Sequence, residues 1–294
     1  MTRLRKTKME TRLGIRQWMK RALPSSVRRV LRNTVWLSQR HFGYPYYLLK
    51  DRLHIQRHRR ELERLRRENP IYFDPNREPV VSVRIATYNR GGTLVDRAIA
   101  SVLRQTYKNF EIVVIGDYCT DETERLIHSL RDPRIRFYNL WERTRYPANP
   151  ASRWQVAGAL PMNYAAQLAR GEWIAPLDDD DEFSEDHLEV LLRACLKNQW
   201  EFVYGKVEME VEPGEWYLVG QYPPIHANIC HLSVLYHASL RFFELDVEAW
   251  KLDEPGDWNL WRRMKAAGVK MGFVDQVVGK HYLEQRHRFA LLEA

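Results

Sequence analysis

Leu177 is followed by four consecutive carboxylates, Asp178, Asp179, Asp180 and Asp181, at the end of an apolar run that begins at Trp173. Adjacent carboxylates repel one another, and near a low-dielectric core they are tolerable only beside a cation or water. Hard divalent ions take oxygen ligands, and Mg²⁺ or Mn²⁺ is often held by one or two carboxylates plus substrate phosphates. The cluster reads either as a metal site or as an acidic loop ahead of the helix expected over 185–197. Two further polar clusters have the same placement after apolar runs: Thr87-Tyr88-Asn89-Arg90 and Asp117 through Asp121. Asp121 reads equally as a helix cap or a ligand.

The elements that would position these clusters follow from the hydrophobic pattern. Strands are expected at 80–86, 110–115, 135–138 and 173–177, with helices at 93–105, over the stretch that Thr120 or Asp121 could cap and that carries Leu126, Ile127 and Leu130, and at 162–169, the last closed by Gly171. This rhythm predicts a three-layer α/β/α domain with a mixed, mostly parallel sheet. Such sheets bind ligands at the carboxyl ends of their strands, where all three clusters fall. Neither GxGxxG nor GxxxxGK[ST] follows the first strand, which removes the main signal for dinucleotide and P-loop chemistry.

Composition narrows the class. The 294 residues are 45% hydrophobic, enough for a sizeable core, and three scattered cysteines make no disulfide framework. No apolar run is long enough to cross a bilayer, so the expected location is cytoplasmic. The net charge of +8 is unevenly spread. Residues 1–68 hold 20 Lys and Arg against five Asp and Glu, which is +15, and the remainder is −7. Helical stretches over 26–42 and 51–68 carry the arginines beside Trp18, Trp36 and Tyr44, Tyr46 and Tyr47. That combination suits an anionic membrane surface, and a peripheral position at the inner face of the cell membrane follows. The alternatives are a helical extension packing on its own domain or on a second subunit in a homo-oligomer. No nucleic-acid-binding signature accompanies the charge. The expected division is a basic helical extension, 1–78, and a domain over 79–294, split into halves at 181/182.

Three segments in register carry a resemblance: Val81 to Arg90, Ser101 to Val114, and Gly116 to Asp121. With Ala169-Arg-Gly-Glu-Trp-Ile-Ala-Pro-Leu-Asp-Asp-Asp-Asp181, they resemble the family-2 inverting glycosyltransferases of GT-A fold over about residues 80–285. The resemblance implies transfer of a sugar from a nucleotide-sugar donor, a UDP-sugar first, to a saccharide or glycolipid hydroxyl in surface polysaccharide synthesis. It places Thr87, Tyr88, Asn89, Arg90, Asp117, Asp178 and Asp179 at the donor. Asp180 and Asp178 match the DxD pair for Mn²⁺ or Mg²⁺, with Asp180 the better direct ligand and His281 a late metal or diphosphate ligand. A base must accept the acceptor hydroxyl's proton, and Asp257, in Pro255-Gly256-Asp257-Trp258-Asn259-Leu260-Trp261-Arg262, matches the family's carboxylate. An N-cap role is its alternative, and Glu254 is the reserve base. His231 and the rings of Trp200, Trp216, Tyr217 and Tyr222 are candidates for the acceptor side. Gly116 and Tyr118 depart from the family's Asp and Gly. The segment 141–160, with Arg143, Arg145 and Arg153, reads as a flap over the donor.

A nucleotidyltransferase of related fold is the enzymatic alternative, though its Gly- and Lys-rich phosphate loop is missing. A non-catalytic scaffold docking through the basic arm is the alternative from another class.

Overall fold

The computed structural model describes residues 25–283, with the side chains of the first helix described from Gly43 onward. That helix, α1, runs unbroken from Ser25 to Glu68 through Pro45, where the sequence suggests two stretches. The chain divides into two compact units, Met1–Leu49 and Lys50–Ala294. The described part of the first unit, 25–49, is helix. The division falls well ahead of the expected boundary at 79, and the second half of α1 belongs to the larger unit.

The reason is visible in its contacts. Leu62 is 2% exposed within the same apolar cluster as Trp261 and Phe202. His58 lies 4.6 Å from the Phe243 ring. Arg66 grips the buried Glu201 carboxylate with two hydrogen bonds of 2.7 and 2.6 Å, and the Lys270 N–H donates to the same group. Asp51 accepts both terminal nitrogens of Arg262 at 3.0 Å. Replacing Arg66 by alanine strands Glu201, whose side chain is 4% exposed, while Arg66 itself is 35% exposed. A stability loss on the order of 1–3 kcal/mol follows, read as a lower urea midpoint of the full chain.

The body is a nine-stranded mixed sheet in the order β3-β2-β1-β4-β8-β6-β9-β5, with β7 paired to β6. Strands β1 (Val81–Thr87), β2 (Phe110–Gly116), β3 (Ile135–Asn139) and β4 (Trp173–Asp178) run parallel. β5 (Glu182–Phe183), β6 (Phe202–Glu212), β7 (Glu215–Val219), β8 (Val234–His237) and β9 (Met271–His281) complete it. Continuous apolar runs such as Ile112–Ile115 are buried on both faces, as parallel strands under two helical layers require.

The helical layers are α2 over 91–103, α3 (Thr123–Ser129), α4 (Pro150–Val156), α5 (Ala159–Leu168), α6 (His187–Asn198) and α7 (Gly256–Ala267). α2 is not regular. It begins at Gly91–Thr93, widens into a π-helical turn at Leu94–Ile99 and closes at Ala100–Leu103. Gly171 does not terminate α5. The helix ends at Leu168 with Ala169 extended, and Gly171 sits against the β1 edge, its N–H donating to Ser82 Oγ at 2.8 Å.

One close approach sets the far side of the site. A Cβ on Gly279 would stand 2.4 Å from Leu232 Cδ1 and 2.7 Å from the Glu182 carbonyl oxygen. Its absence lets β9 pair with β5, which carries His281 to the loop after β4.

Candidate active site

The carboxyl ends of β1, β2 and β4 converge as the apolar pattern requires. Register aligns Thr87 with Gly116 and Ala86 with Asp178. Thr87 Oγ1 donates to Asp179 Oδ2 at 2.6 Å, and the Asp117 N–H donates to the Thr87 carbonyl at 2.8 Å. The first two clusters are also pinned together by Asn89. Its Oδ1 accepts from the Thr120 N–H at 2.8 Å, with Asn89 held at a left-handed φ of 52°. Asn89 thus joins two loops. Asp121 Oδ1 accepts from both the N–H and the Oγ1 of Thr123, the first residue of α3, whose N-cap is Glu122.

The four carboxylates are divided among different partners. Arg90 Nη1 bridges Asp179 and Asp180 at 3.0 Å each. Asp181 is fully buried; it pairs through Oδ2 with His281 Nδ1 at 2.9 Å and accepts the Tyr282 N–H at 3.0 Å. Burial pushes the Asp178 carboxyl well above the usual carboxylate range, reinforced by Asp181 and Asp180. Burial and Asp180 push Asp179 up to about 6, against the pull of Arg90 and Thr87. Burial works against a charged His281, but the Asp181 carboxylate holds its proton up to about 9. The sequence offered His281 as a ligand and left Asp181 without a role. The structure joins the two across a hundred residues of chain.

An excess of buried negative charge is what a divalent cation relieves. Among the described residues, no three His, Cys, Asp or Glu side chains form a ready-made metal cage. A site completed by substrate phosphate needs only one or two carboxylates from the protein. No described residue donates a hydrogen bond to the Asp178 carboxylate, and the Asp180 carboxylate is engaged through Oδ2. The donor set therefore fits an oxygen-preferring ion shared with a diphosphate, which Asp180 and Asp178 would hold with His281 as a further candidate ligand.

Asp117 is buried and heavily engaged. Its carboxylate accepts from Arg143 Nη1 at 2.7 Å, Thr144 N at 2.9 Å, Thr144 Oγ1 at 2.6 Å and Tyr146 Oη at 2.7 Å. Burial and the neighbouring Asp117 push the Tyr146 phenol up to about 12, so it stays a donor. Arg143 also lies 3.3 Å over the exposed Tyr88 ring. The segment after β3 is thereby latched to the end of β2, and Thr144 and Tyr146 were not singled out by the sequence. Arg153 turns away to the carbonyls of Pro147 and Ala148.

The departure at Gly116 has a steric cause in this chain. A Cβ there would meet Asn139 Oδ1 at 2.7 Å, and that oxygen accepts the Cys119 N–H at 2.8 Å. Tyr118 keeps a φ of 64°, the region a glycine occupies readily and other residues enter at a cost of about 1–2 kcal/mol.

Asp257 lies in the first turn of α7, one residue inside it; Pro255 is the N-cap and makes no side-chain cap bond. The carboxylate accepts the Trp258 N–H at 2.7 Å. Burial raises its pKa, opposed by that N–H and then by the nearby charge of His281. Glu254 is committed elsewhere, accepting Asn259 at 2.6 Å and Arg262 at 2.8 and 2.9 Å. Arg262 and Arg263 are scaffold: Arg263 is buried, with Nε donating to Asn259 Oδ1 at 2.8 Å. His231 is buried with its ring centroid 6.0 Å from Trp261, away from solvent. Trp200 packs against the core, whereas Tyr217 and Tyr222 are exposed and Trp216 meets Tyr282 edge-on at 5.1 Å.

Residues 82–227 match the family model Glycosyl transferase family 2. A UDP-Glc:alpha-D-GlcNAc-diphosphoundecaprenol beta-1,3-glucosyltransferase of Escherichia coli is 32% identical over 130 residues, 44% of this chain and 46% of that protein. The chain spans less than half the length of the first curated relatives it matches. Among solved structures, Staphylococcus aureus TarS 1-349 in complex with UDP-GlcNAc is similar, with a TM-score of 0.55. It is 17% identical, covering 70% of this chain and 59% of that one. The mannosyltransferase PcManGT of Pyrobaculum calidifontis, in complex with GDP-Man and Mn²⁺, has a TM-score of 0.52 at 19% identity, covering 87% and 70%. These likenesses show the GT-A fold.

Proposed function

Because the chain belongs to glycosyltransferase family 2, we propose that it is an inverting, metal-dependent transferase moving a sugar from a nucleotide donor to a saccharide or glycolipid hydroxyl. The observation that carries this reading is the gathering of Thr87, Asp117 and Asp178–Asp181 at the strand ends, with His281 paired to Asp181.

The division of labour follows from the contacts. Tyr88, Arg143 and the segment latched to Asp117 form the wall for the nucleoside, beside Thr87 and Asn89. Arg90, Asp178 and Asp179 lie where the diphosphate would sit. Asp180, Asp178 and His281 would hold Mn²⁺ or Mg²⁺. A bound divalent ion supplies charge neutralisation for the departing nucleoside diphosphate. Asp181 holds His281 in orientation through Nδ1, and Nε2 would serve as a ligand in its unprotonated form. Asp257 accepts the acceptor hydroxyl's proton, its raised pKa bringing its basicity closer to that task. Attack from the side opposite the leaving group inverts the anomeric centre.

The names of relatives and neighbours support a UDP-sugar donor and a lipid-linked saccharide acceptor in surface polysaccharide synthesis. Thermal shift with UDP, GDP, dTDP and CMP, with and without Mn²⁺, tests this. A nucleoside diphosphate is expected to raise the melting temperature by several degrees with Mn²⁺ and far less without it. No shift with any of the four defeats the reading.

No described helix is long and apolar enough to cross a membrane. The first unit, 1–49, has 12 Lys and Arg against one Asp or Glu, and it is the part offered to an anionic membrane face on the cytoplasmic side. Deleting 1–49 is expected to weaken binding to vesicles containing phosphatidylglycerol by tenfold or more, at about 1 kcal/mol for each basic residue near the surface. Donor hydrolysis remains. Unchanged vesicle binding excludes the membrane role.

A further inference from the structure

We propose that Arg97 is a positioning residue of this site: it clamps the carboxylate loop 178–181 to the end of β9 and so fixes Asp180 relative to His281. The inference rests on the proposed roles of Asp180 and His281.

Arg97 lies in the π-helical turn Leu94–Ile99. Such turns appear mostly as single-turn bulges inside α-helices, frequently at functional sites. From this turn Arg97 reaches two remote segments. Nη1 donates to the Asp180 main-chain oxygen at 2.5 Å. The guanidinium also lies 3.8 Å from the centre of the Tyr282 ring. Tyr282 follows His281, and its own N–H donates to Asp181, the carboxylate that holds the histidine. The outer edge of this stack is closed by Trp216 on β7.

Two features single Arg97 out from Arg90. Arg90 binds the Asp179 and Asp180 carboxylates themselves, so a cation entering there must share Asp180 with it. The contact from Arg97 is to the backbone oxygen and leaves the carboxylate available. A planar guanidinium can hydrogen-bond at its edge while stacking on its face; a lysine ammonium cannot do both. The clamp therefore restrains mutually repelling carboxylates without neutralising them.

The test uses the full chain with Arg97→Ala, Arg97→Lys and Tyr282→Phe. Amide hydrogen exchange over 178–183 and 281–283 reads the clamp. Mn²⁺ affinity, followed by the electron paramagnetic resonance of the free ion with and without UDP, and the kcat and KM of UDP-sugar hydrolysis read its consequence. Arg97→Ala is expected to speed exchange in both segments and weaken Mn²⁺ binding by about 10–100-fold, the range for residues that orient metal ligands. It lowers kcat more than it raises KM. Arg97→Lys is intermediate, and Tyr282→Phe, which keeps the ring but loses the hydroxyl's hydrogen bond to Glu182, stays closer to the parent than Arg97→Ala. Unchanged exchange in Arg97→Ala overturns the clamp. Faster exchange with unaltered Mn²⁺ affinity and kcat also overturns the proposal, leaving an ordinary structural contact. A parent chain that binds no Mn²⁺ removes the metal reading alone, and exchange and kcat then decide on Arg97.

Discussion

Asp257→Asn is expected to lower kcat for sugar transfer by about 10²–10⁴-fold, the usual contribution of a positioned general base. The amide preserves the shape of the side chain and can still accept the Trp258 N–H, so α7 keeps its first turn. What disappears is proton affinity at the acceptor. KM for the donor changes little, because the proposed nucleoside and diphosphate contacts are on β1, β2 and the loop after β4. The pH profile gives an independent check. Burial raises the Asp257 pKa above its ordinary value, and the base works only when deprotonated. Activity therefore rises with pH through a midpoint above the ordinary aspartate value. The Asn variant, deprived of that titration, loses this acid limb. Near-full activity in Asp257→Asn transfers the base role elsewhere. Glu254 is a poor heir, since Arg262 and Asn259 already occupy its carboxylate.

Asp180→Ala is expected to lower turnover by at least about 10²–10³-fold, comparable to losing one preorganised group that stabilises transition-state charge. Two effects combine. The variant loses the carboxylate best placed to share a divalent ion with the leaving diphosphate. It also removes one anchor of Arg90, whose bond to Asp179 in this loop remains. Isothermal titration with UDP separates them: the gain in affinity on adding Mn²⁺ vanishes, whereas metal-free binding of the nucleotide persists or strengthens as Arg90 turns toward phosphate. Wild-type Mn²⁺ dependence in Asp180→Ala refutes the metal assignment. Absence of donor turnover in the parent chain, with nucleotide binding intact, favours the scaffold reading instead.

The deletion experiments also differ from what charge counting suggests. Residues 1–68 look like a single basic arm, but 50–68 carry Asp51, Leu62 and Arg66 into the body. Removing all 68 would strip Arg262 and Glu201 of partners, and a resulting loss of activity would say nothing about membranes. Without 50–68 the arm is +11, and the unit from Lys50 onward is −3 rather than −7. Arginine on a helix surface looks alike in sequence whether it faces solvent or a buried carboxylate 135 residues away.

Much of the part with the parallel strands, 81–178, was legible because parallel strands buried on both faces leave continuous apolar runs. The polar residues ending those runs must then gather at one sheet edge. Thr87, Asp117 and Asp178–Asp181 were found that way, as was the likeness that their spacing carries. The sequence by itself determined the layer order, the three strand-end clusters and the carboxylate that opens the last helix.

Only the tertiary structure decided what each group touches. The Asp181–His281 pair, the donors converging on Asp117 and the Arg97 clamp depend on strand register, a glycine-permitted approach of β9 and a π-turn in α2. Hydrophobic periodicity records which face of an element is buried. It carries no information about which distant side chain meets that face, since such contacts are fixed by closure of the sheet and not by any local spacing.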